Sequence, residues 1–505
     1  MYIMYTMTFI RKIKRGDRVY LAEVENTWVN GKVVQKHLRY VGKEVSGRKI
    51  LSGSVDESEI THVKLWAPFI VLDRLSKEIG LSKILGEYGS YLLCLVFAHC
   101  VEPKSINTME DWFKSTDIDK ILPVADVSEK LLYSALDSID DNNTEQIQQR
   151  IYESLQEKYQ LKPRSHFFDV TNTYFYGAEC PMAKRGKSKE GLENPQVQIG
   201  LAVTEDDGFP IFHKVFNGNI FDARILSDMM VSLSKLNIKD VFIVWDRGVS
   251  SEANITDAKK AGFQVICGLA NRKNVKPLLD KAIHAGGFVG IKNRIRLKNA
   301  VLYCKSQKYH YGTIRGKLVI CFNEEAGRLQ RERRLDAISD AQKLVQAGKQ
   351  VPEGMAEYLA SGKINEARIL EAQKDDGYFM IFCTKNLPVE EIVRPYFEKD
   401  KIEKAFRSMK SVLGLRPIRH WLEERVKSHV FICYLSYLLL SLLEYKLKKS
   451  GISAVDALDK LSTAYKVYLK NNRTKNIFEK LVTLSKEQEK ILKSVDKSLL
   501  PSVHK

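Results

Sequence analysis

Polar and apolar positions alternate through residues 18–41, the period of a strand with one face covered. Two β-rich runs there flank Val29-Asn30-Gly31-Lys32. Asn-Gly between such runs predicts a type I′ hairpin, whose two central residues both need positive φ. The second predicted strand carries Lys36, His37 and Arg39. From Ala67 to Gln160 the period becomes helical: Leu72, Leu75 and Ile79 precede Gly80-Leu81-Ser82, a helix stop followed by a fresh N-cap. Further amphipathic runs cover 90–101, 127–139 and 143–159. This block reads either as a DNA-binding module or as a helical bundle packed on a core, since one short turn does not specify a helix-turn-helix.

The pattern changes at His166. Residues 166–176, 197–204 and 209–216 read as successive strands, followed by a helix over 222–236. Val241-Phe242-Ile243-Val244-Trp245 is a continuous apolar run, as a strand buried on both faces requires. Ser250 or Ser251 caps a helix to about Ala261, and Gly262-Phe263-Gln264-Val265-Ile266 returns as strand. That order predicts an α/β fold with a mixed sheet. Residues 287–323 are β-rich and basic, with Tyr303, Tyr309 and Tyr311 interleaved, and 324–372 are helical and charged. An apolar strand resumes at Gly377-Tyr378-Phe379-Met380-Ile381-Phe382, so 270–375 reads as an insert within one α/β domain. The expected organisation is a β-hairpin region over 1–64, a helical region over 65–160, an α/β domain over 161–445 and a helical region over 446–505.

A chain of 505 residues exceeds one simple core, and two to four units are expected. Lys and Arg outnumber Asp and Glu by 80 to 62, a formal net charge of +18 that favours a polyanionic partner through counterion release. The eight cysteines form no C-x-x-C pair, so neither a zinc ribbon nor a disulfide framework is legible, and a reducing cytoplasm is expected. The first apolar residues precede rather than follow Arg11, Lys12, Lys14 and Arg15, unlike a secretory leader. The most apolar stretch, residues 430–445, falls short of the roughly 20 residues a membrane span needs and is expected to be a buried core helix, with no membrane partner.

Three carboxylates stand out. Asp169 interrupts the strand His166-Phe167-Phe168-Asp169-Val170-Thr171, where a carboxylate is costly unless paired, hydrogen-bonded or on a metal. Asp246 ends the buried strand and Arg247-Gly248 turns the chain after it; the carboxyl ends of strands face the usual α/β crevice. A structural ion pair or turn cap is the alternative for each aspartate. Beyond Arg394-Pro395 a helix is expected to run from Tyr396 to about Leu413. Tyr396, Lys399, Glu403 and Lys410, at offsets 0, 3, 7 and 14, then fall within an arc of about 60° on one face. A solvated charged stripe is the alternative there.

Together these residues resemble the DDE transposases of bacterial and archaeal insertion sequences, in the branch marked by Y-x2-R-x3-E-x6-K. The signature here is Tyr396-x2-Lys399-x3-Glu403-x6-Lys410. Lys399 stands at the Arg position, keeping the charge but losing the bidentate fork. Asp169-Val170-Thr171-x2-Tyr174, Asp246-Arg247-Gly248 and Arg416-Pro417-x3-Trp421 match further motifs, and the resemblance covers about 160–445. It implies a ribonuclease H-like catalytic core and two divalent ions, Mg2+ or Mn2+, on Asp169, Asp246 and Glu403. It also implies DNA contacts from Tyr396, Lys399, Lys410 and Arg247, with double-stranded DNA at transposon ends and target as partner and a homodimer in the synapse. The expected activity is binding of terminal inverted repeats, metal-dependent strand cleavage and strand transfer. Another ribonuclease H-like nuclease, such as a junction resolvase, and a DNA-binding relic without activity are the rival readings.

Overall fold

The computed structural model describes residues 7–501, apart from 17, 30–31, 46–47, 52–57, 162–164, 176–178, 187–193, 236–240, 271–274, 353, 361–362 and 473–474. The chain forms two compact units, one from Met1–Leu75, Lys104–Leu131 and Lys446–Lys505, the other from Ser76–Pro103 and Leu132–Tyr445.

The second unit is a mixed α/β structure built on a nine-stranded sheet. In chain order its strands are β1 (Ser165–Tyr174), β2 (Gln196–Thr204), β3 (Pro210–Asn217), β4 (Phe242–Trp245), β5 (Gln264–Leu269), β6 (Arg294–Arg296), β7 (Val301–Tyr311), β8 (Ile314–Phe322) and β9 (Tyr378–Cys383). In space they run β6-β7-β8-β9-β5-β4-β1-β2-β3. β1, β2 and β3 pair antiparallel in sequence, whereas β4 lies parallel to both β1 and β5. β2 is buried along its whole length, as expected of a central strand. The residues expected to form an insert contribute β6–β8, and β8 pairs with β9, so those strands extend the main sheet and cover what would be an open edge.

Helices of this unit include α1 (Gly89–Val101), α2 (Asp141–Tyr159), α3 (Asp222–Lys235), α4 (Glu252–Lys260), α5 (Glu324–Gln346), α6 (Val389–Glu398), α7 (Asp400–Ser411) and α8 (Glu423–Leu447). Alternation along β1 sends Phe168 and Val170 into a core shared with Trp245, Val265, Ile225 and Met229. Asp169 therefore points to the opposite face, which α6 and α7 cross. Ten of the thirteen residues of α1 are buried, so this helix is a core element with little surface of its own. Helix α8 is 25 residues long, more than the 16-residue apolar stretch suggested; it is long and apolar enough to cross a membrane, yet 83% of its most apolar window is buried within the protein.

In the first unit, residues 7–51 form a four-stranded antiparallel sheet. The expected hairpin is present, with Val29 opposite Lys32, but Asn30 and Gly31 themselves lie outside the described residues. The segment 446–505, expected to be helical, carries helices Ala454–Leu461 and Lys486–Val495 but also strands Tyr465–Asn471 and Ile477–Leu481. The strand Tyr-Lys-Val-Tyr-Leu-Lys-Asn has the β-branched and aromatic content of a sheet and pairs with Ser58–Leu65 from the other end of the chain. That partner, four hundred positions away, is invisible to local periodicity.

Candidate active site

Asp169 and Asp246 come together because of strand register. The parallel ladder pairs Phe167 of β1 with Val244 of β4, and each aspartate lies two residues further along, on the same face. Both stand toward the carboxyl side of neighbouring parallel strands, where α/β folds place their ligand crevice.

Asp246 follows the last residue of β4 and caps a short turn through Arg247 N–H to its own Oδ1, at 2.8 Å. The same oxygen accepts from the Tyr396 hydroxyl at 3.2 Å and lies 3.1 Å from Lys399 Nζ. Partial burial pushes this carboxyl up, but the Lys399 charge and the hydrogen bonds from Arg247, Lys399 and Tyr396 outweigh it, and the net displacement is downward. Burial and the adjacent carboxylate drive the Tyr396 phenol far above its usual range, so it stays a donor. Gly268 makes this approach geometrically feasible: it lies in β5, and a Cβ there would collide with the Tyr396 hydroxyl.

Glu403 and Lys410 belong to the other half of the site. They line a cavity of about 300 Å3 together with Asp169, Thr171, Arg407 and Arg416. Asp169 is half-buried and Glu403 exposed. The predicted single helix from Tyr396 is in fact two. α6 begins at Val389 after Pro388 and contains Pro395 in its interior rather than at its start. It ends at Glu398, and Ile402 N–H reaches back to the Lys399 carbonyl to begin α7. α6 packs over β4, β5 and β9, and α7 over β1 and β2. The stripe expected on one face is thereby divided: Tyr396 and Lys399 go to Asp246, Glu403 and Lys410 to the Asp169 cavity. Arg247 is exposed beside Asp246, with no described contact to the cavity.

Sequence reasoning gave Arg416 a place in a motif but no role, and it missed Arg407. The loop bearing Arg416 is held from both sides. Ile418 bridges to Phe175 just past β1, and the Leu413 carbonyl accepts from His99 Nδ1 at 2.6 Å. Burial pushes His99 below its ordinary value, and burial together with the neighbouring histidines takes His429, hydrogen-bonded to the backbone at Leu415 and Gly414, down to about 3. Both rings are therefore neutral supports for the loop. The Arg416-Pro417 dipeptide was the one signal that this loop mattered.

The metal-ligating donors of the Asp169 cavity are oxygen-only, carboxylates and a threonine hydroxyl, and no cysteine lines it. Such a set suits Mg2+ or Mn2+ and not a soft metal. Among the described residues no three acidic, His or Cys side chains are already gathered into a metal-holding group.

Two neighbouring strands and a facing helix thus bring Asp169, Asp246 and Glu403 to one face of a mixed α/β sheet. The family model for the transposase DDE domain matches residues 165–439, more than half of the chain, and the chain belongs to that family. Transposases of this family typically use divalent metals. A search of curated proteins finds no match. Among solved structures, the chain is similar to the piggyBac transposase synaptic complex with hairpin DNA, determined by cryo-EM, at 9% identity and a TM-score of 0.38, covering 78% of this chain and 79% of that one.

Proposed function

We propose that this transposase is the enzyme of an insertion sequence: it binds the terminal inverted repeats, hydrolyses a phosphodiester at the element's end and joins the freed 3′-hydroxyl to target DNA. The observation that carries the reading is the juxtaposition of Asp169 and Asp246 at one level of adjacent parallel strands, with Glu403 facing Asp169 across one cavity. The strand order β3-β2-β1-β4-β5, three antiparallel strands followed by two parallel to the first, supports a ribonuclease H-like core.

Asp169, Asp246 and Glu403 would hold two Mg2+ or Mn2+ ions. When bound, the ions supply an activated oxygen nucleophile and stabilise the leaving oxygen. The chain's own part is positioning. Lys410, Arg407 and Arg416 bring three cations to the cavity that contains Asp169 and Glu403, and would neutralise and orient the scissile phosphate. Lys399, Tyr396 and Arg247 surround Asp246 and would take the flanking backbone. Water then attacks phosphorus, the P–O3′ bond breaks and the 3′-oxygen leaves as a hydroxyl; in strand transfer that hydroxyl attacks a target phosphate and displaces a second 3′-oxygen. Two copies of the chain would hold the two ends in a synapse.

The test is cleavage of the element's own terminal duplex with Mg2+ or Mn2+ by the wild type and by Glu403→Gln. The wild type is expected to cut at the repeat boundary and join the end to a second duplex, while the variant binds but does neither. Equal cutting by both removes Glu403 from the site. Cutting without joining favours a resolvase-like nuclease, and binding without cutting by either protein favours the inactive relic.

A further inference from the structure

We propose that the amino-terminal four-stranded sheet binds duplex DNA across one face, the face that carries Arg11, Arg15, Arg18 and Lys43. The inference rests on the proposed function only in taking that duplex to be the element's end.

Residues directly opposite each other in an antiparallel ladder share a face. On strand Met7–Arg15, Arg11 lies opposite Ala22, Ile13 opposite Tyr20 and Arg15 opposite Arg18. Across the next ladder, Tyr20 lies opposite Lys43, Ala22 opposite Tyr40, Val24 opposite His37 and Asn26 opposite Gln35. Two irregularities in that register absorb extra residues, and the ring contact of Tyr20 with Tyr40, 6.0 Å between centroids, keeps both on one side. This face thus holds four permanent cations and His37, and among the described residues no carboxylate shares it. Glu23, Glu25 and Glu44 all fall on the other face. There Arg39 lies 2.6 Å from Glu23, Lys12 lies 2.5 Å from Glu44, and Lys36 stands opposite Glu25.

That sorting is what distinguishes the surface. A merely solvated sheet mixes signs on both sides, as the second face does. The first face instead offers one sign only, with Tyr20 and Tyr40 between the cations. Asn26 accepts a hydrogen bond from Gln35 at 2.9 Å and Gln35 in turn accepts from Arg11, so the amides and guanidinium are ordered together. Cations suit phosphates, amides suit base edges, and strands of a sheet can enter a DNA groove. The cationic groove of about 1030 Å3 beside α5 is a weaker candidate, because Glu324, Glu325 and Asp376 line it alongside its arginines and Arg328 is taken up by Glu325 and Glu332.

The experiment uses the full chain in EDTA, so that binding is read without cutting, and follows fluorescence anisotropy of a labelled terminal-repeat duplex between 50 and 200 mM salt. One variant is Arg11→Gln/Arg15→Gln/Arg18→Gln; its control, Lys14→Gln/Lys32→Gln/Lys36→Gln, removes the same charge from the other face. The first is expected to weaken binding at least about tenfold more than the second and to flatten the slope of log K against log salt by about 2 to 3, close to 0.9 for each phosphate no longer neutralised. Arg11→Lys/Arg15→Lys/Arg18→Lys should recover most of the affinity, which separates charge from misfolding. Equal weakening by the two triple Gln variants, or no weakening by either when the wild type binds, overturns the inference. A folded wild type that binds no duplex at all overturns the functional reading instead.

Discussion

The two aspartates of the site occupy the same level of the same face of neighbouring strands, yet different parts of the chain meet them. Asp246 sits at a strand end with its side chain 56% exposed, and it is met by an ammonium, a phenol and a backbone N–H. Asp169 sits inside a strand, half-buried, and opens on a cavity shared with a second carboxylate and three cations. Strand register puts each carboxylate in place, but the helix that crosses it sets its electrostatic surroundings. Because the chain breaks at Lys399, one short stretch of sequence supplies both environments: Tyr396 of α6 and Lys399 at the break meet Asp246, and α7 sets Glu403 beside Asp169. We read this as a division of labour in which Tyr396 and Lys399 close on one carboxylate while α7 shares a cavity with the other.

The largest effect should come from deleting either aspartate. Asp169→Asn and Asp246→Asn are each expected to lower terminal cleavage by on the order of a thousandfold, the scale on which loss of a transition-state stabiliser operates. Anisotropy should show terminal-duplex binding within about threefold of wild type for both. If one variant cut normally, the two carboxylates would not act in one site and the comparison would fail. Next, Arg416→Ala should slow cleavage by roughly a hundredfold, whereas Lys399→Arg, which restores the family's residue beside Asp246, should stay within about threefold, since a bidentate fork replaces a point charge at similar reach. The reverse ranking, read from single-turnover rates, would move the phosphate-holding role to the Asp246 half. Smaller still is Gly268→Ala. The added methyl must push Tyr396 off Asp246, so this variant should match Tyr396→Phe, each at about tenfold or less, and the double variant should add nothing further.

These residues also mark how much the sequence discloses. Asp169 and Asp246 were legible because a charged residue in or just after an apolar strand contradicts burial unless something rewards it. The strand-strand-strand-helix-strand order was legible because periods of 2 and 3.6 differ plainly over ten residues. The helix from Tyr396 was legible in extent but not in continuity. A projection at 100° per residue assumes one straight axis, and a break at Lys399 with Pro395 inside the preceding turn violates it. Gly268 carried no signal in the sequence, because its purpose is a contact with Tyr396, more than a hundred positions later. The strand at 465–471 was missed for the same reason, one of its partners lying at the other end of the chain. Face assignment in the amino-terminal sheet was hidden too: Lys36, His37 and Arg39 read as one basic run, but the ladder puts His37 on one side and the other two on the opposite side.

The finest test of the comparison is the acid behaviour of the Lys399–Asp246 pair, measured without metal or DNA. The Asp246 carboxyl is held below its ordinary value, so the pair contributes stability above the unfolded-state pKa of about 3.9 and loses that contribution as pH falls through the folded value. Lys399→Met should therefore melt below wild type between about pH 5 and 7, and the gap should close as the pH falls below the unfolded-state value and through the folded one. With Asp246 half exposed, screening keeps the contribution to about 1 kcal/mol at most, so the gap should not exceed about 2–4 °C. Differential scanning calorimetry across that range decides the point. A gap that persists unchanged at low pH would mean that Lys399 acts through packing on the Tyr396 ring, whose centroid lies 5.0 Å from its Nζ, rather than through its charge on Asp246. A gap that appears only at low pH would reverse the sign of the coupling and with it the assignment of Lys399 as the charge that neutralises Asp246.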